Sequence, residues 1–579
     1  MSGETKPVEV EVLIVGAGPC GLAAASLLAS CDVKVLVLSR YAGPAPTPRS
    51  TVANARSMEV YRDLGIQSQM EAVGVSMPSL YYNVFATSFT GMELGRYKSY
   101  GTGVDRLSDY AAASPCVGWN IGQHRLEPVL LETARLRGAD VRYGHEMVEI
   151  EQNSQDVRAR VKVRDTNEEY VVHASYAIGA DGGRSPVAEQ LGFPFEGRPA
   201  FRNLISMWVN ADLTKHAAHR PAYMYNIYRP GPGQWFGSGV WLCVQPFTEW
   251  LFSMPATADI PESELLRRAH ETIGDPSVEI SVKQTYTWTV NHLFATRYRQ
   301  GRVFIAGDAA HRHPPSGGLG ANTSVQDAFN LAWKLAFVLK GRAGDALLDS
   351  YSEERQPVGR FVVERANKSL HNSAPISQAL AFTEDQSAEQ GWAMLESLFT
   401  DAPGAAERRA ELDAAIKLGN YRSNALGVEL GQRYASRAVV GDGTPFPEHK
   451  RDPELYYEPT THPGATLPHA WIEHHRSQIS TLDIVGRGRF TLIVGIGGDA
   501  WSRAGARIGA ELGIDLVVRT LGARCEFDDV EGRWREISEL NDDGALLVRP
   551  DRHIAWRSKG RVDDADAVLL NALRQALAL

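Results

Sequence analysis

Three short segments, far apart in the chain, carry residues whose types and spacing can do chemistry. They are Gly16-Ala17-Gly18-Pro19-Cys20-Gly21, Gly179-Ala180-Asp181-Gly182 and Gly307-Asp308-Ala309-Ala310-His311. In the first, Gly16 allows a tight turn, Gly18 lets backbone approach a pyrophosphate, and Gly21 permits close packing of a helix on a strand. Pro19 lies in the same turn. A helix N-terminus then faces the phosphates with its partial positive charge. An acidic residue normally ends the next strand and bonds the ribose hydroxyls. Here Ser39 and Arg40 stand in its place. Taken alone the pair points to a 2′-phosphate on Arg40, while Ser39 can still bond a ribose hydroxyl without charge assistance. Asp181 and Asp308 each end a strand-like run, where a carboxylate reaches a ribose or ribitol hydroxyl; the alternative for each is a helix cap.

After Asp308 comes His311-Arg312-His313-Pro314-Pro315-Ser316-Gly317-Gly318-Leu319-Gly320-Ala321-Asn322. Two prolines impose a bend, three glycines expose amides, and Asn322 sits where a helix begins. Such a loop can aim N–H donors at a cofactor ring edge where negative charge accumulates. His311 and His313 lack a third ligand at a convincing spacing, so no metal site is expected.

These segments need elements to position them. Val8–Val15 alternates and then turns wholly apolar, as a strand half buried in a parallel sheet does. Leu22–Ala29 reads as a small apolar helix and Val33–Leu38 as a second strand, completing a βαβ unit. Helices are expected over 55–64, 126–136, 323–340 and, in pieces, 345–425. Strands alternate through 145–178. From 200 to 290 the chain is aromatic and strand-like, with a turn at Pro230-Gly231-Pro232-Gly233, and predicts an antiparallel sheet. The polar, Pro-rich stretch 443–469 reads as a linker, and 470–579 as a separate small α/β domain.

At 579 residues the chain exceeds one core. A net charge of −9 without a basic run argues against nucleic acid. No signal-peptide h-region and no membrane-spanning apolar run is present, so a soluble, cytoplasmic protein is expected. Five cysteines without a CxxC read as reduced, mostly buried thiols.

Together with Pro48-Arg49-Ser50, Gln123-His124-Arg125-Leu126-Glu127 and Gln326-Asp327-Ala328-Phe329-Asn330-Leu331-Ala332-Trp333-Lys334-Leu335, the three motifs resemble those of group A flavoprotein monooxygenases. The run from Gly301 to Arg355 is most similar to the 2,4-dichlorophenol 6-monooxygenase, 2-hydroxybiphenyl hydroxylase and phenol hydroxylase subgroup. Leu467–Trp471 and Val548–Arg557 resemble its thioredoxin-like appendage. The resemblance implies an α/β architecture of the p-hydroxybenzoate hydroxylase type. A Rossmann-like FAD-binding domain (1–75, 106–190, 290–370) would be interleaved with an antiparallel-sheet substrate domain (76–105, 191–289). A helical region (371–442), the linker and a thioredoxin-like domain without CxxC (470–579) would follow.

The resemblance also implies the reaction: NAD(P)H reduces FAD, O2 adds to give a C4a-flavin hydroperoxide, and an electron-rich ring is hydroxylated. By family position Arg49 and Gln123 should lie near the flavin or its pyrophosphate, and Pro315 beside the ring. Gly318, Gly320, Ala321 and Asn322 should lie along its pyrimidine edge, with Gly307 and Asp308 ahead of them. Pro315, Arg49 and Tyr225 are the expected catalytic residues; Tyr223, Tyr225, Asn226, Gln245 and His313 the expected substrate contacts. Tyr225 is the candidate to bond a substrate hydroxyl, with a core aromatic as the alternative. The partner is a small aromatic molecule, and a homo-oligomer is expected.

Three positions depart from the subgroup: Thr47 for a His before the Pro-Arg pair, Asn226 for a Trp, and Gln245 for an Arg. Two amides in place of a cation and a bulky aromatic suit a pyridone, quinone or polyketide edge better than a simple phenolate. With the arginine-rich composition, this favours natural-product tailoring. Same-fold alternatives are a Baeyer–Villiger monooxygenase or an epoxidase; a non-catalytic flavin-binding sensor is the alternative of another class. A halogenase would need a W-x-W-x-I-P segment, which Thr287-Trp288-Thr289-Val290-Asn291 does not supply.

Overall fold

A computed structural model describes residues 7–230, 238–256, 260–383 and 385–579. The expected turn at 230–233 therefore lies largely outside the described residues. Val8–Val15 pairs in parallel with Glu169–Gly179 on one side and Val35–Ser39 on the other. Asp140–Tyr143 and Val303–Ile305 extend the sheet outwards, also in parallel. The first half of Val8–Val15 is partly exposed and the second half buried, as its pattern predicts. Three chain ends meet where this strand stops: Gly16 N–H donates to Leu38 O and Ala180 N–H to Val15 O, both at 2.8 Å. The helix Pro19–Ala29 buries its small apolar residues against the long helix Leu319–Leu339. Only small side chains let the two backbones approach this closely.

An eight-stranded second sheet forms the roof, built mainly from 82–98 and 195–295, with His311–Arg312 at its edge. It is antiparallel except that Tyr82–Ala86 runs parallel to Ala222–Ile227. The antiparallel sheet expected over 200–290 is present, and the parallel pair joins Ala222–Ile227 to Tyr82–Ala86 from outside that stretch. Between these two strands the chain leaves to build the first sheet, and such a long crossover lets it return in the same direction.

The helices Asp349–His371, Ala374–Ala379, Ala388–Ser397, Ala405–Lys417, Asn420–Ser423 and Leu426–Leu430 wrap the junction. The C-terminal unit has a four-stranded sheet. Phe490–Val494 and Leu516–Thr520 are parallel and joined through the helix Asp499–Leu512; Ala545–Val548 and Ile554–Ser558 add antiparallel. This is a thioredoxin-like arrangement, and Cys525 stands alone in it. Trp333 and Phe337 of the long helix pack edge-on against Phe490, at 5.5 and 5.6 Å between ring centroids. The reading of 443–469 as a linker is corrected at its end. Residues 460–470 are buried throughout, and Gly464 and Leu467 donate to Ile554 O and Arg552 O. Thr461 and His462 satisfy their polar groups inside the unit, so this polar stretch is folded structure.

Candidate functional site

One cleft of about 1970 Å³ runs from the strand ends of the first sheet to the roof. At its nucleotide end Gly16 has φ +113°, and a Cβ there would sit 2.1 Å from Ala180 O. A Cβ on Gly21 would sit 1.9 Å from Gly16 O. Gly21 lies behind the cleft wall, holding helix to strand, whereas Gly16, Gly18 and Pro19 form the wall. Ser39 and Arg40 line the same end, Arg40 Nη2 donating to Tyr41 OH at 3.4 Å.

Asp181 divides its carboxylate between two tasks. Oδ2 accepts from Val187 N–H at 3.0 Å, the capping role that the sequence left open, while the buried Oδ1 has no protein partner. Burial raises its pKa. A buried acceptor without a donor, beside a glycine turn that admits close backbone approach, fits a dinucleotide's ribose hydroxyl. Gln123 and Arg49 also face the cleft, the latter with its guanidinium carbon 6.0 Å from the Tyr286 ring centroid. Gln123 Nε2 is held by Glu127 Oε1 at 2.6 Å, and Glu127 Oε2 accepts from Ala45 N–H. Glu127 thus ties the 42–48 loop to the helix Gln123–Leu136, a role its motif did not disclose.

The 307–322 segment hangs on a buried carboxylate. Asp327 Oδ2 accepts from Gly307 N–H at 3.0 Å and from His311 Nε2 at 2.8 Å; Oδ1 accepts from Arg355 Nε at 2.7 Å. Burial alone would raise the Asp327 pKa, but Arg355, His311 and the Gly307 amide outweigh it and hold it below the usual range. Gly307, with φ +62°, is consequently spent on the turn and lies off the cleft wall, which corrects its expected contact with cofactor. Asp308 opens into the cleft, and the surrounding protein raises its pKa. His313 donates from Nδ1 to Pro314 O at 2.6 Å. Burial lowers its pKa to about 4, so it is neutral and presents the unpartnered Nε2 as an acceptor. A Cβ on Gly320 would lie 3.6 Å from that nitrogen, which places His313 beside the Gly320 backbone.

Pro315, Gly318, Gly320 and Ala321 line the cleft; Asn322 does not. Its Oδ1 accepts from Asn54 N–H and its Nδ2 donates to Val52 O, both at 2.9 Å. The expected cofactor contact of Asn322 is corrected to a latch between the helix start and residues 52–54, because the side chain lies off the cleft with Nδ2 donating to Val52 O and Gly318 O and Oδ1 accepting from Asn54 N–H.

Under the roof, Tyr223 and Asn226 line the cleft. Tyr223 OH lies 2.7 Å from Thr51 Oγ1, and Asn226 Nδ2 donates to Val84 O at 3.2 Å. Tyr225, expected to be catalytic, is fully buried away from the cleft. Its ring packs on Phe89 and Trp250, at 4.4 and 5.8 Å, and its hydroxyl donates to Arg220 O at 2.8 Å. Its expected catalytic and substrate roles are withdrawn because a hydroxyl so held cannot reach a ligand. Gln245 is also corrected. It ends a strand whose cleft-lining part is Gly239, Val240 and Leu242, and its carbonyl closes the turn to Thr248. Missed from the sequence were Tyr286 and Trp288 of the roof, Phe85, Tyr100, Ile376, Ile416 and Arg422. Alternation through 281–295 could have revealed the first two; nothing local marks the others.

Two family models match: the FAD binding domain over residues 9–366, and the aromatic-ring hydroxylase C-terminal domain over 460–578. The chain is 43% identical to a 2,4-dichlorophenol 6-monooxygenase of Delftia acidovorans, covering 100% of both. Among solved structures it resembles the flavin-dependent monooxygenase PieE in complex with FAD and substrate, with a TM-score of 0.96 and 44% identity over 99% of this chain and 100% of that one. It also resembles an aklavinone-11 hydroxylase in complex with FAD and aklavinone, with a TM-score of 0.80 and 29% identity over the same shares. With a dinucleotide turn, an acceptor left open for a ribose and an aromatic roof on one cleft, the chain belongs to the FAD-dependent aromatic-ring hydroxylases, a family of flavoprotein monooxygenases.

Proposed function

We propose that this protein hydroxylates an activated aromatic ring, a phenol, hydroxypyridine or phenolic polyketide, with NADH or NADPH as reductant and O2 as oxidant. The observation that carries this reading is the continuity of one cleft from the glycine turn at Gly16 to the roof at Tyr223, Asn226 and Trp288. The relatives above act, by name, on a chlorophenol and on aklavinone, both hydroxyl-bearing aromatics.

Bound FAD supplies the acceptor for hydride and the centre at which O2 is activated. The chain's part is binding, orientation and exclusion of water. Gly16, Gly18 and Pro19 present backbone to the pyrophosphate at a helix N-terminus. Asp181 Oδ1, with Ser39 and Arg40, receives the adenosine ribose. Asp308, Arg49 and Gln123 hold the middle of the cofactor. Pro315, Gly318, Gly320 and Ala321 set the backbone beside the ring, where amide donors stabilise negative charge as it builds. Neutral His313 offers an acceptor and no proton down to about pH 4. The roof sheet and the helices packed on it keep water from the reacting atoms. Among the described residues no helix is long and apolar enough to cross a membrane; a cytoplasmic location and a homo-oligomer are parts of the same proposal.

The test is incubation with NADH or NADPH under isotopically labelled O2 and a panel of phenols, hydroxypyridines and phenolic polyketides. Label in a ring hydroxyl, matched to NAD(P)H consumed, is expected; label in a lactone or epoxide overturns the reading. Asn226→Ala should weaken substrate binding by roughly fivefold to tenfold, about the worth of one hydrogen bond. Gln245→Ala should leave it unchanged, since that side chain is off the cleft. Equal effects in substrate titrations of the two variants would refute this division.

A further inference from the structure

Arg422 brings a cation into the aromatic end of the cleft from outside the roof sheet. It belongs to the short helix Asn420–Ser423 and lines the cleft, with its Nε buried and without a hydrogen-bond partner. Its neighbours are phenols: Tyr97, Tyr100, Tyr223 and Tyr228 lie within its field. Burial pushes Tyr223 and Tyr228 up to about 12 and raises Tyr100 well above its ordinary value. These three are therefore neutral near pH 7 and cannot serve as counter-ions. Glu429, beyond Tyr100, is itself pushed up to about 8 by burial, despite Arg106 beside it, and is also protonated there. No described carboxylate forms an ion pair with Arg422, in contrast to the buried Arg355 and Arg549.

The cation is held in place. Tyr421 O accepts from Arg365 Nη2, Tyr100 N–H donates to Ser423 O at 2.8 Å, and Asn424 Nδ2 donates to Lys98 O at 2.9 Å. Arg422 also abuts the loop after Pro315: a Cβ on Gly317 would lie 3.4 Å from Arg422 O. Arg422 is half-buried, with its Nε shielded from water and unpartnered, an arrangement that a bound anion completes.

We propose that Arg422 is the anion-binding group of the substrate pocket, and that substrate is held there as an aryl oxyanion, the ionised hydroxyl of a phenol-type ring. This rests on the reading of the cleft as an aromatic hydroxylase pocket. The hydroxyl proton passes to water on binding, and the step needs no oxidant or reductant. The ionised oxygen feeds electron density into the ortho and para carbons, the positions an electrophilic oxygen attacks. The inference also replaces the amide argument from sequence. The cation missing at Gln245 is supplied from a helix instead, and a phenolate is the better match.

The test uses the FAD-loaded enzyme and two probes, 4-nitrophenol and its hydroxyl-capped analogue 4-nitroanisole, followed by equilibrium dialysis and difference absorbance. The nitrophenol should bind about tenfold or more tighter, and its bound form should be wholly the yellow anion at a pH where the free probe is half ionised, a shift of at least about one pKa unit. Arg422→Met should lose about tenfold for nitrophenol while leaving nitroanisole unchanged, and Arg422→Lys should retain most of the preference. Equal affinity for both probes, no binding of nitrophenol, or a bound probe with its free ionisation overturns the proposal in the wild type alone, whatever the variants' folding. Equal weakening of both probes in Arg422→Met, with a changed flavin spectrum, also overturns it and assigns Arg422 to the cofactor. Because binding is read without turnover, an enzyme that prefers the anion but never consumes NAD(P)H would refute the hydroxylase reading and leave Arg422 standing.

Discussion

Replacing Arg549 by methionine is expected to cost about 3–5 kcal/mol of folding stability, the usual penalty for breaking a buried ion pair from one side. Arg549 Nη1 and Nη2 reach Glu354 at 2.6 and 2.8 Å, and Nη2 also reaches Asp551 at 2.5 Å. Lys334 Nζ reaches Glu354 at 2.7 Å, and Asn330 Nδ2 donates to Glu354 and Asp551. The pairs are at most 1% exposed. Glu354 and Lys334 come from the cofactor-side helices, Arg549 and Asp551 from the C-terminal unit, so this cluster clamps one to the other. Without Arg549, two buried carboxylates share one lysine, whose own pKa burial has already lowered to about 8. Urea denaturation with a loss below about 1 kcal/mol, the level of an exposed pair, would refute the clamp. Adding Glu354→Leu to Arg549→Met should recover part of the loss, because the penalty is for the unpaired charge.

The same cluster sets an acid limit. Burial would raise Glu354 and Asp551, but Arg549 and its companions hold both well below the ordinary carboxylate range. A carboxyl with a depressed folded pKa stabilises above its unfolded value and loses that contribution as pH falls. His553 adds an earlier loss: burial lowers it from 6.5 to about 4, so below 6.5 the unfolded chain takes a proton that the folded one refuses. Tm should therefore begin to fall below about pH 6.5 and fall further once the carboxylates titrate. A flat Tm from neutral pH to about 4 would contradict the linkage.

Asp327→Ala is the second large effect, and it should appear as loss of FAD. The substitution strands the Gly307 amide, His311 and the buried Arg355 at once, a cost of about 3–5 kcal/mol concentrated in the turn that carries Asp308. The ratio of flavin to protein absorbance after purification should drop strongly, whereas Arg549→Met, whose ion pairs are with Glu354 and Asp551 and not with Asp327, should retain flavin. Asp327→Asn keeps the shape and one acceptor and should lie between. Full flavin content in Asp327→Ala would show that the 307–313 turn holds itself.

What was legible in the sequence was whatever depends on neighbours in the chain. Gly16 and Gly21 could be read because a tight turn and a helix–strand contact are local steric demands, and the strand Val8–Val15 because its burial follows its own alternation. Asp181 could be placed at a strand end for the same reason. Tyr225 and Gln245 misled because alternation identifies a strand without saying which neighbours cover each side chain. Phe89 and Trp250 claim the Tyr225 ring, and Gln245 lies past the covered part of its strand. Asn322 misled because a helix start next to a glycine loop suits both a ligand contact and a latch, and only the approach of Val52 and Asn54 decides between them.

The amino-acid sequence by itself determined the dinucleotide turn and the order of strand and helix around it, since both follow from local backbone freedom and hydrophobic period; the chemistry of a flavin-dependent hydroxylase was legible only through the resemblance of its motifs to that family. Tertiary structure alone decided which cation faces the substrate, which carboxylate holds the 307–313 turn, and what clamps the C-terminal unit. Arg422, Asp327 and the Glu354–Arg549 pair act on groups brought near by folding, and the field of a charge depends on distance and burial, which residue order does not record.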